Sequence, residues 1–297
     1  MSRARSGMGL LEVLVALPLI ALLGGVAVQL LLSVQRQVVQ ADGTLGATRT
    51  LRHSAGILAA ELRVLQPRDL VLWTPTSVEF DGSVGVGFVC AANRGQPQLL
   101  LVGSDSLMSV PDSRATVWNQ PPQAGDRVSV WLRRATPTDS LRADSALVRA
   151  IGTSTDCARS PLLQGRAGDA IRVTLVAATS DDVATGTPVR ITRRTRYLLY
   201  RASDNDWYVG RQSRSDRGWD IVQPVAGPLQ PPRDRGLVLR VYDAYGVMLA
   251  DASQAVPARV SIELRAPRRS GRASPRVVTI DSLRVDVALR SVQGGAP

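Results

Sequence analysis

The chain is poor in the side chains that most enzymes and metal centres use. Its 297 residues include one histidine and two cysteines. A Ser–His–Asp site would need His53, and no nucleophile-elbow motif accompanies that residue. Neither Cys90 nor Cys157 has a metal-ligand spacing around it. The sequence therefore predicts no catalytic residue, no metal site and no cofactor, and His53 is interpreted as a titratable surface residue.

Lysine is absent, and the basic residues, 36 in number against 25 acidic ones, are all arginines. An all-arginine set is typical of a GC-rich genome. The formal net charge of +11 can still favour an acidic partner, anionic lipid or DNA. Tyrosine and tryptophan lie among two arginine clusters, at residues 190–201 and 211–217, as in single-strand nucleic-acid grooves. The alternative interpretation is that the arginine clusters form an ordinary solvated surface that binds no partner. The arginines of the candidate patch are Arg193, Arg194, Arg196, Arg268, Arg269 and Arg272.

Two short motifs suggest ligand sites but lack features that such sites need. Residues 82–87 alternate glycine with other residues, but they have neither the G-x-G-x-x-G spacing nor a following helix. A β-turn or bulge is the better interpretation. The pairs Asp181-Asp182 and Asp204-x-Asp206 could contact calcium, yet neither has the density of oxygen ligands that this ion requires. We expect no small-molecule substrate.

Long apolar runs are also scarce, because only one segment, from Met8 to about Leu32, is long enough to span a bilayer. Arg3 and Arg5 precede it, so the positive-inside rule places the start of the chain in the cytoplasm and the bulk across the membrane. This predicts a single-pass protein. A disulfide between Cys90 and Cys157 could persist in the exported part, although their separation does not establish pairing.

Beyond the apolar segment the pattern becomes that of an amphipathic helix. Leucines 51, 58, 62 and 65 form a stripe at helical spacing, and Val34, Val38 and Leu45 continue it towards the amino terminus. The pattern predicts one helix over residues 8–65, with a possible break at 42–46, where glycines weaken it. Pro67 should end the helix, since proline restricts the preceding residue and lacks an N–H donor.

From residue 70 onward the sequence predicts short strands separated by turn residues, and the prolines of residues 119–126 predict a mobile loop. The fold class is therefore α+β: a long amino-terminal α-helix, transmembrane and then amphipathic, followed by an antiparallel β-rich head domain. The predicted strands are 77–80, 86–91, 98–102, 115–118, 127–132, 146–151, 170–176, 189–200, 207–211, 237–242, 259–264 and 277–289.

The start of the chain combines three features: Gly7 ends a basic leader, Met8 opens the apolar segment, and Glu12 is its one carboxylate. A charge inside such a segment costs about 3 kcal/mol on insertion scales. The arrangement resembles the type III signal of type IV pilins and type II secretion pseudopilins, which a prepilin peptidase cuts after the glycine. The resemblance implies cleavage between Gly7 and Met8, N-methylation of Met8, and pairing of Glu12 with the amino terminus of a neighbouring subunit.

The second half of the chain, with residues 196–201 followed by 207–211 and residues 241–246 followed by 260–264 and 283–290, resembles the PilW- and GspJ-type minor subunits. The resemblance implies a leader (1–7), a transmembrane and filament-core helix (8–32), an amphipathic helix packing on the head (33–66) and a pilin-like periplasmic head (67–297). It implies assembly in the inner membrane into a type IV pilus or a type II secretion pseudopilus. The implied partners are prepilin peptidase, other minor and major pilins or pseudopilins, and membrane lipid.

Two alternatives stay open at the level of sequence. The amino terminus could be an ordinary secretory signal or a plain anchor, although an ordinary signal core is short and uncharged, whereas this segment holds Glu12 and continues to Leu32. The function could instead be that of a membrane-anchored β domain whose arginines bind DNA or another anionic polymer, as in DNA uptake.

Overall fold

The computed structural model describes residues 10–92, 96–102, 117–132, 142–159, 170–179, 183–267 and 280–290. Within these ranges the chain has one long amino-terminal α-helix followed by fifteen β-strands, with short 3₁₀ turns between some of them. Every strand pairing is antiparallel. The predicted α+β class is therefore confirmed.

Helix α1 runs without interruption from Leu10 to Arg63, 54 residues, with Pro18 inside it. The break predicted at residues 42–46 does not occur. A glycine destabilises a helix by only about 1 kcal/mol relative to alanine. The helical turns on either side of residues 42–46 are continuous with this segment. Pro67 begins a 3₁₀ turn, Pro67–Asp69, four residues after the last residue of the helix, Arg63, which agrees with its predicted role as a terminator.

The strands follow the sequence pattern closely where apolar and polar residues alternate. The predicted segments 77–80 and 86–91 are parts of one 16-residue strand. The pattern does not predict β1, β10, β11 or β13. The bounds are β1 Leu70–Thr74, β2 Ser77–Ala92, β3 Gln98–Val102, β4 Val117–Trp118, β5 Arg127–Leu132, β6 Arg142–Ser154, β7 Ala170–Leu175, β8 Pro188–Arg201, β9 Trp207–Ser215, β10 Gly218–Trp219, β11 Gln223–Leu229, β12 Leu237–Tyr242, β13 Met248–Leu249, β14 Arg259–Pro267 and β15 Ile280–Ala288.

Six strands close into a small antiparallel barrel. The order β2-β3-β7-β6-β5-β8 returns to its start, because β8 also pairs with β2. Alternate side chains of these strands point inwards, and they are apolar and buried. A barrel this narrow is filled by its own side chains. Its core consists of Val84, Val89, Leu99, Leu101, Val128, Val130, Leu132, Ala146, Val148, Val173, Leu175, Val189 and Ile191, with Val183 from the loop before β8.

A second core lies between α1 and a four-stranded sheet with the order β13-β12-β14-β15. The helix packs mainly on β14, β15 and β11. The predicted stripe of leucines 51, 58, 62 and 65 is buried here, each at most 3% exposed, so that prediction is confirmed. The amino-terminal end of β2 and the carboxyl-terminal end of β8 add Phe80 and Tyr197, whose rings lie 6.0 Å apart. These two strands therefore contribute to both cores.

Strand β2 bends where it passes from one core to the other. Its register with β8 shifts between Ser83 and Gly85, which places a β-bulge inside the glycine-rich stretch 82–87 and confirms the bulge interpretation over a phosphate loop. A Cβ atom at Gly85 would overlap the Trp118 ring and the Val117 carbonyl of β4. Glycine is required here because β4 pairs with β2 at the bulge, with Trp118 opposite Gly85.

We predict that Gly85→Ala destabilises the protein by about 1–3 kcal/mol, since the added methyl group must displace Trp118 or the backbone of β4. Gly152→Ala is the matched control, because this strand glycine faces open space and its replacement should leave stability unchanged or raise it by up to about 1 kcal/mol. Urea unfolding of the full-length chain in detergent, followed by tryptophan fluorescence, measures both. Equal effects at the two positions would contradict the proposed packing at the bulge.

Candidate functional site

The amino-terminal half of α1 presents a long, continuous apolar surface to solvent. Residues Leu17–Gln35 form a helix long and apolar enough to cross a membrane, and none of this segment is buried against the head. Leu23 and Ile20 are each 68% exposed. A large exposed apolar surface marks a site of protein or membrane interaction, and the length of this one is sufficient to span a bilayer. This half of α1 is therefore the first candidate for function.

The carboxyl-terminal half of α1 is attached to the head, but the attachment begins later than expected. Packing was predicted from residue 33, whereas Val34, Val38 and Leu45 are each more than half exposed. Burial starts at Ala47 and continues through the leucine stripe. The predicted packing segment 33–66 is thus corrected, since the head covers only the last five turns or so of the helix. Every described side chain before Ala47 is exposed, and residues 36–46 are called the stalk.

Of the residues of the predicted processing signal, the structure describes only the backbone of Glu12. Gly7 and Met8 fall outside the described residues, and Glu12 belongs to the first turn of α1 as the structure describes it. Their predicted roles in cleavage, methylation and charge pairing stay predictions. The structure adds that Glu12 is carried on the same continuous helix that docks on the head.

Cys90 and Cys157 form a disulfide, with a Cα–Cα distance of 5.5 Å, inside the range that a disulfide needs. Cys90 lies near the end of β2, and Cys157 belongs to the 3₁₀ turn Asp156–Arg159. Both cysteines are buried with Leu100, Val102 and Ala170 in a small apolar cluster. The bridge closes a loop of 67 residues in sequence separation and fixes this turn against the barrel, which is a structural role.

The arginines of the predicted anionic-partner patch that the structure describes are held in ion pairs. Arg194 and Arg196 stand directly opposite Asp81 and Glu79 across the β2–β8 pairing. The Arg194 Nε–Asp81 Oδ1 distance is 2.8 Å, and Arg196 Nη1 lies 3.4 Å from Glu79 Oε1. Arg196 also lies over the Trp219 ring at 4.5 Å. The charges of these two arginines are therefore balanced within the fold.

Arg193 is buried and holds a proline-containing loop. Its guanidinium makes two parallel bonds to Asp126, from Nε to Oδ1 at 2.7 Å and from Nη2 to Oδ2 at 2.9 Å. It also donates to Gln120 Oε1 and to the Pro121 carbonyl, and the backbone N–H of Gly125 donates to the Val148 carbonyl. The loop 119–126, predicted to be mobile, is therefore fixed, because one forked guanidinium reaches several of its acceptors. Arg268, Arg269 and Arg272 lie outside the described residues.

The remaining predicted sites show no ligand chemistry in the described part of the chain. His53 is exposed on α1 beside a shallow groove against β11. Asp204 organises a hairpin turn, accepting from the Asp206 N–H and from the Tyr208 hydroxyl, and Asp181 and Asp182 lie outside the described ranges. Among described residues, no three His, Cys, Asp or Glu side chains come together in a group that could hold a metal.

Tyr197 is a residue whose importance the sequence pattern did not reveal. It is 2% exposed and lies between the barrel strands and α1, where its hydroxyl contacts Glu61 of the helix at 3.5 Å. Burial, together with the negative charge of Glu61, raises the pKa of Tyr197 to about 12. An alternating strand predicts an inward side chain at this position, but it does not predict which element covers that side chain.

No protein-family model matches this chain, and no curated protein or solved structure matches it either.

We predict that the protein loses stability between about pH 10 and pH 12, because unfolded Tyr197 releases its proton near 10 whereas the folded state retains it. Tyr197→Phe should remove about 1–3 kcal/mol of this alkaline loss. Tyr245→Phe is the matched control, since Tyr245 is 93% exposed, and it should keep the wild-type profile. Urea unfolding of the full-length chain in detergent across this pH range measures both. Identical profiles for the two variants would contradict the assignment.

Proposed function

We propose that this protein is a minor pilin or pseudopilin subunit, which assembles through its amino-terminal helix into a type IV pilus or a type II secretion pseudopilus. In this proposal a prepilin peptidase cleaves the chain after Gly7, and Met8 becomes the methylated amino terminus. Before assembly the apolar helix lies in the inner membrane, and the β-rich head lies in the periplasm. The initiating or tip complex is the proposed place of the subunit, because the head resembles PilW- and GspJ-type subunits.

One observation carries the proposal: a single continuous helix is bare and apolar at one end and packed on a β-rich head at the other. The exposed segment Leu17–Gln35 can place the same apolar surface in contact with lipid or with neighbouring helices. A subunit of this form can leave the bilayer for a bundle of like helices with little change in apolar burial. Helix packing would supply most of the assembly energy, with the motor outside this chain.

Glu12 has a specific role in this mechanism. Cleavage after Gly7 leaves a positively charged amine on Met8 within or beside the bilayer, and a buried charge is tolerated only when it is paired. The Glu12 carboxylate of one subunit would meet the amine of its neighbour. Pairing in the assembled state then sets the axial register between adjacent helices.

The alternative, an anchored β domain that binds DNA through the predicted arginine patch, has weaker support. Arg193, Arg194 and Arg196 each lie on a carboxylate of the same fold. Binding a phosphate there would require breaking these pairs, and for the buried Arg193–Asp126 pair that costs about 3–5 kcal/mol. No described observation favours this second function over the first.

The first test is the amino terminus and intact mass of the protein extracted from membranes, with and without its prepilin peptidase. The expected result is loss of residues 1–7 and a methylated Met8 only in cells that contain the peptidase. Replacing Gly7 by alanine should block the cut, while Gly9→Ala, which changes a nearby glycine on the other side of the site, should not. An uncut chain in the presence of the peptidase, or a cut near Ala27, would overturn the proposal.

The second test separates the charge pair from the anchor. Glu12→Ala should reduce incorporation into filaments or co-purification with sibling subunits by about tenfold or more, since an unpaired buried charge costs more than the roughly 1.4 kcal/mol that tenfold represents. Glu61→Gln removes a carboxylate from the same helix within the head and should assemble normally. Normal assembly of Glu12→Ala, with the head still folded by near-UV circular dichroism, would refute the pairing mechanism.

A further inference from the structure

The outer wall of the barrel carries a groove of about 530 Å³ that is separate from the helix. Four neighbouring strands, β6, β5, β8 and β9, each present one arginine to it. Adjacent strands lie about 4.8 Å apart, so the row crosses about 14 Å, which matches roughly four residues of an extended peptide. These arginines are Arg149, Arg127, Arg194 and Arg214, in the order of the strands.

The groove keeps an excess of positive charge. Two aspartates also line it: Asp81, which pairs with Arg194 at 2.8 Å, and Asp216 on the β9–β10 hairpin. Among the residues that the structure describes, Arg127, Arg149 and Arg214 have no carboxylate within ion-pair distance. Four arginines against two aspartates leave the described lining with a net charge of +2, whereas Arg193 and Arg196 of β8 are each paired with an acid.

The walls of the groove are held in place before any ligand arrives. Gly125, with φ of +90°, lies so close to the backbone of Ser215 and Asp216 that no side chain could fit between them. Beneath it, the Arg193–Asp126 pair fixes the same turn. The arginines thus project from a rigid frame, which reduces the ordering cost of binding.

Two exposed aliphatic side chains, Leu147 and Val176, also line the groove. Leu147 is 43% exposed and Val176 is 52% exposed, and the Val176 N–H donates to the Leu147 carbonyl at 2.8 Å, which places the two residues side by side. No aromatic side chain belongs to the described lining. Single-strand nucleic-acid grooves combine basic residues with aromatic platforms on which bases stack, and this groove offers the charge without the platforms.

We propose that the groove binds an extended acidic peptide segment of a partner protein, in which carboxylates alternate with aliphatic side chains. The forked guanidiniums of Arg127, Arg149 and Arg214 suit planar carboxylates. The aliphatic side chains of the peptide would lie on Leu147 and Val176. Since the chain itself is strongly basic, charge complementarity favours a different protein over a second copy. The inference does not depend on amino-terminal processing, because every residue involved lies on the head.

The test uses the full-length protein in nonionic detergent and a fluorescein-labelled octapeptide in which glutamate alternates with leucine and valine. Fluorescence anisotropy should show saturable binding. The variant Arg127→Gln/Arg149→Gln/Arg214→Gln should weaken it by about tenfold or more, as expected when desolvated charge pairs are lost. The matched control Arg52→Gln/Arg63→Gln/Arg233→Gln removes the same charge from exposed positions outside the groove and should bind within about twofold of wild type.

Three further measurements decide between outcomes. The same peptide with glutamine in place of glutamate should not bind. The triple lysine variant at positions 127, 149 and 214 restores the charge and should recover part of the affinity, which shows that the glutamine variant fails through charge and not through misfolding. A single-stranded oligothymidylate should bind more weakly than the peptide. Equal losses in both glutamine triples, no peptide binding, or tighter binding of the oligonucleotide would overturn the proposal.

Discussion

The pairing of β2 with β8 is the interaction on which both cores depend. Its register runs from Ser77 opposite Leu198 to Phe88 opposite Pro188. The start of β2 and the end of β8 place Phe80 and Tyr197 in the core that contains the helix. The later part of β2 and the earlier part of β8 place Val84 and Ile191 inside the barrel. Helix and barrel therefore share one ladder. A loss of register in that ladder would turn the inward side chains of both cores outward together.

Two arginines of β8 pair with carboxylates through two parallel hydrogen bonds, a geometry that lysine cannot provide. Arg190 makes two parallel bonds of 2.9 Å to Asp69 in the turn after α1, and Arg193 makes a similar pair of bonds to Asp126. A planar fork satisfies both carboxylate oxygens at once. The arginines of β8 thus connect the strand to the helix terminus, to a loop and to β2. The excess charge of the sequence is left to other places, including the groove on the barrel wall.

Local patterns predicted much of this fold, and distant pairings were beyond them. The leucine stripe of α1 and the alternation in β14 and β15 identify buried faces from neighbouring residues alone. Closure of the barrel requires β8 to pair with β2 across a hundred residues of chain, and no local pattern encodes it. Strand β11 was not predicted because it contains Pro224 and Pro228, and proline cannot donate a backbone hydrogen bond to a neighbouring strand. The groove arginines Arg127 and Arg149 are far apart in sequence, so they formed no visible cluster.

The stalk of α1 would set the distance between the head and a membrane. If Leu17–Gln35 fills the hydrocarbon layer, the helix continues for about 16 Å before Ala47 meets the head, at about 1.5 Å per residue. The lipid headgroups occupy only about 6 Å of that distance. In that arrangement the point where the head meets the helix would lie about 10 Å beyond the headgroups, a little more than the Debye length of roughly 8 Å. At that distance salt would weaken its attraction to anionic lipid, so the head could meet neighbouring proteins without first detaching from the bilayer surface.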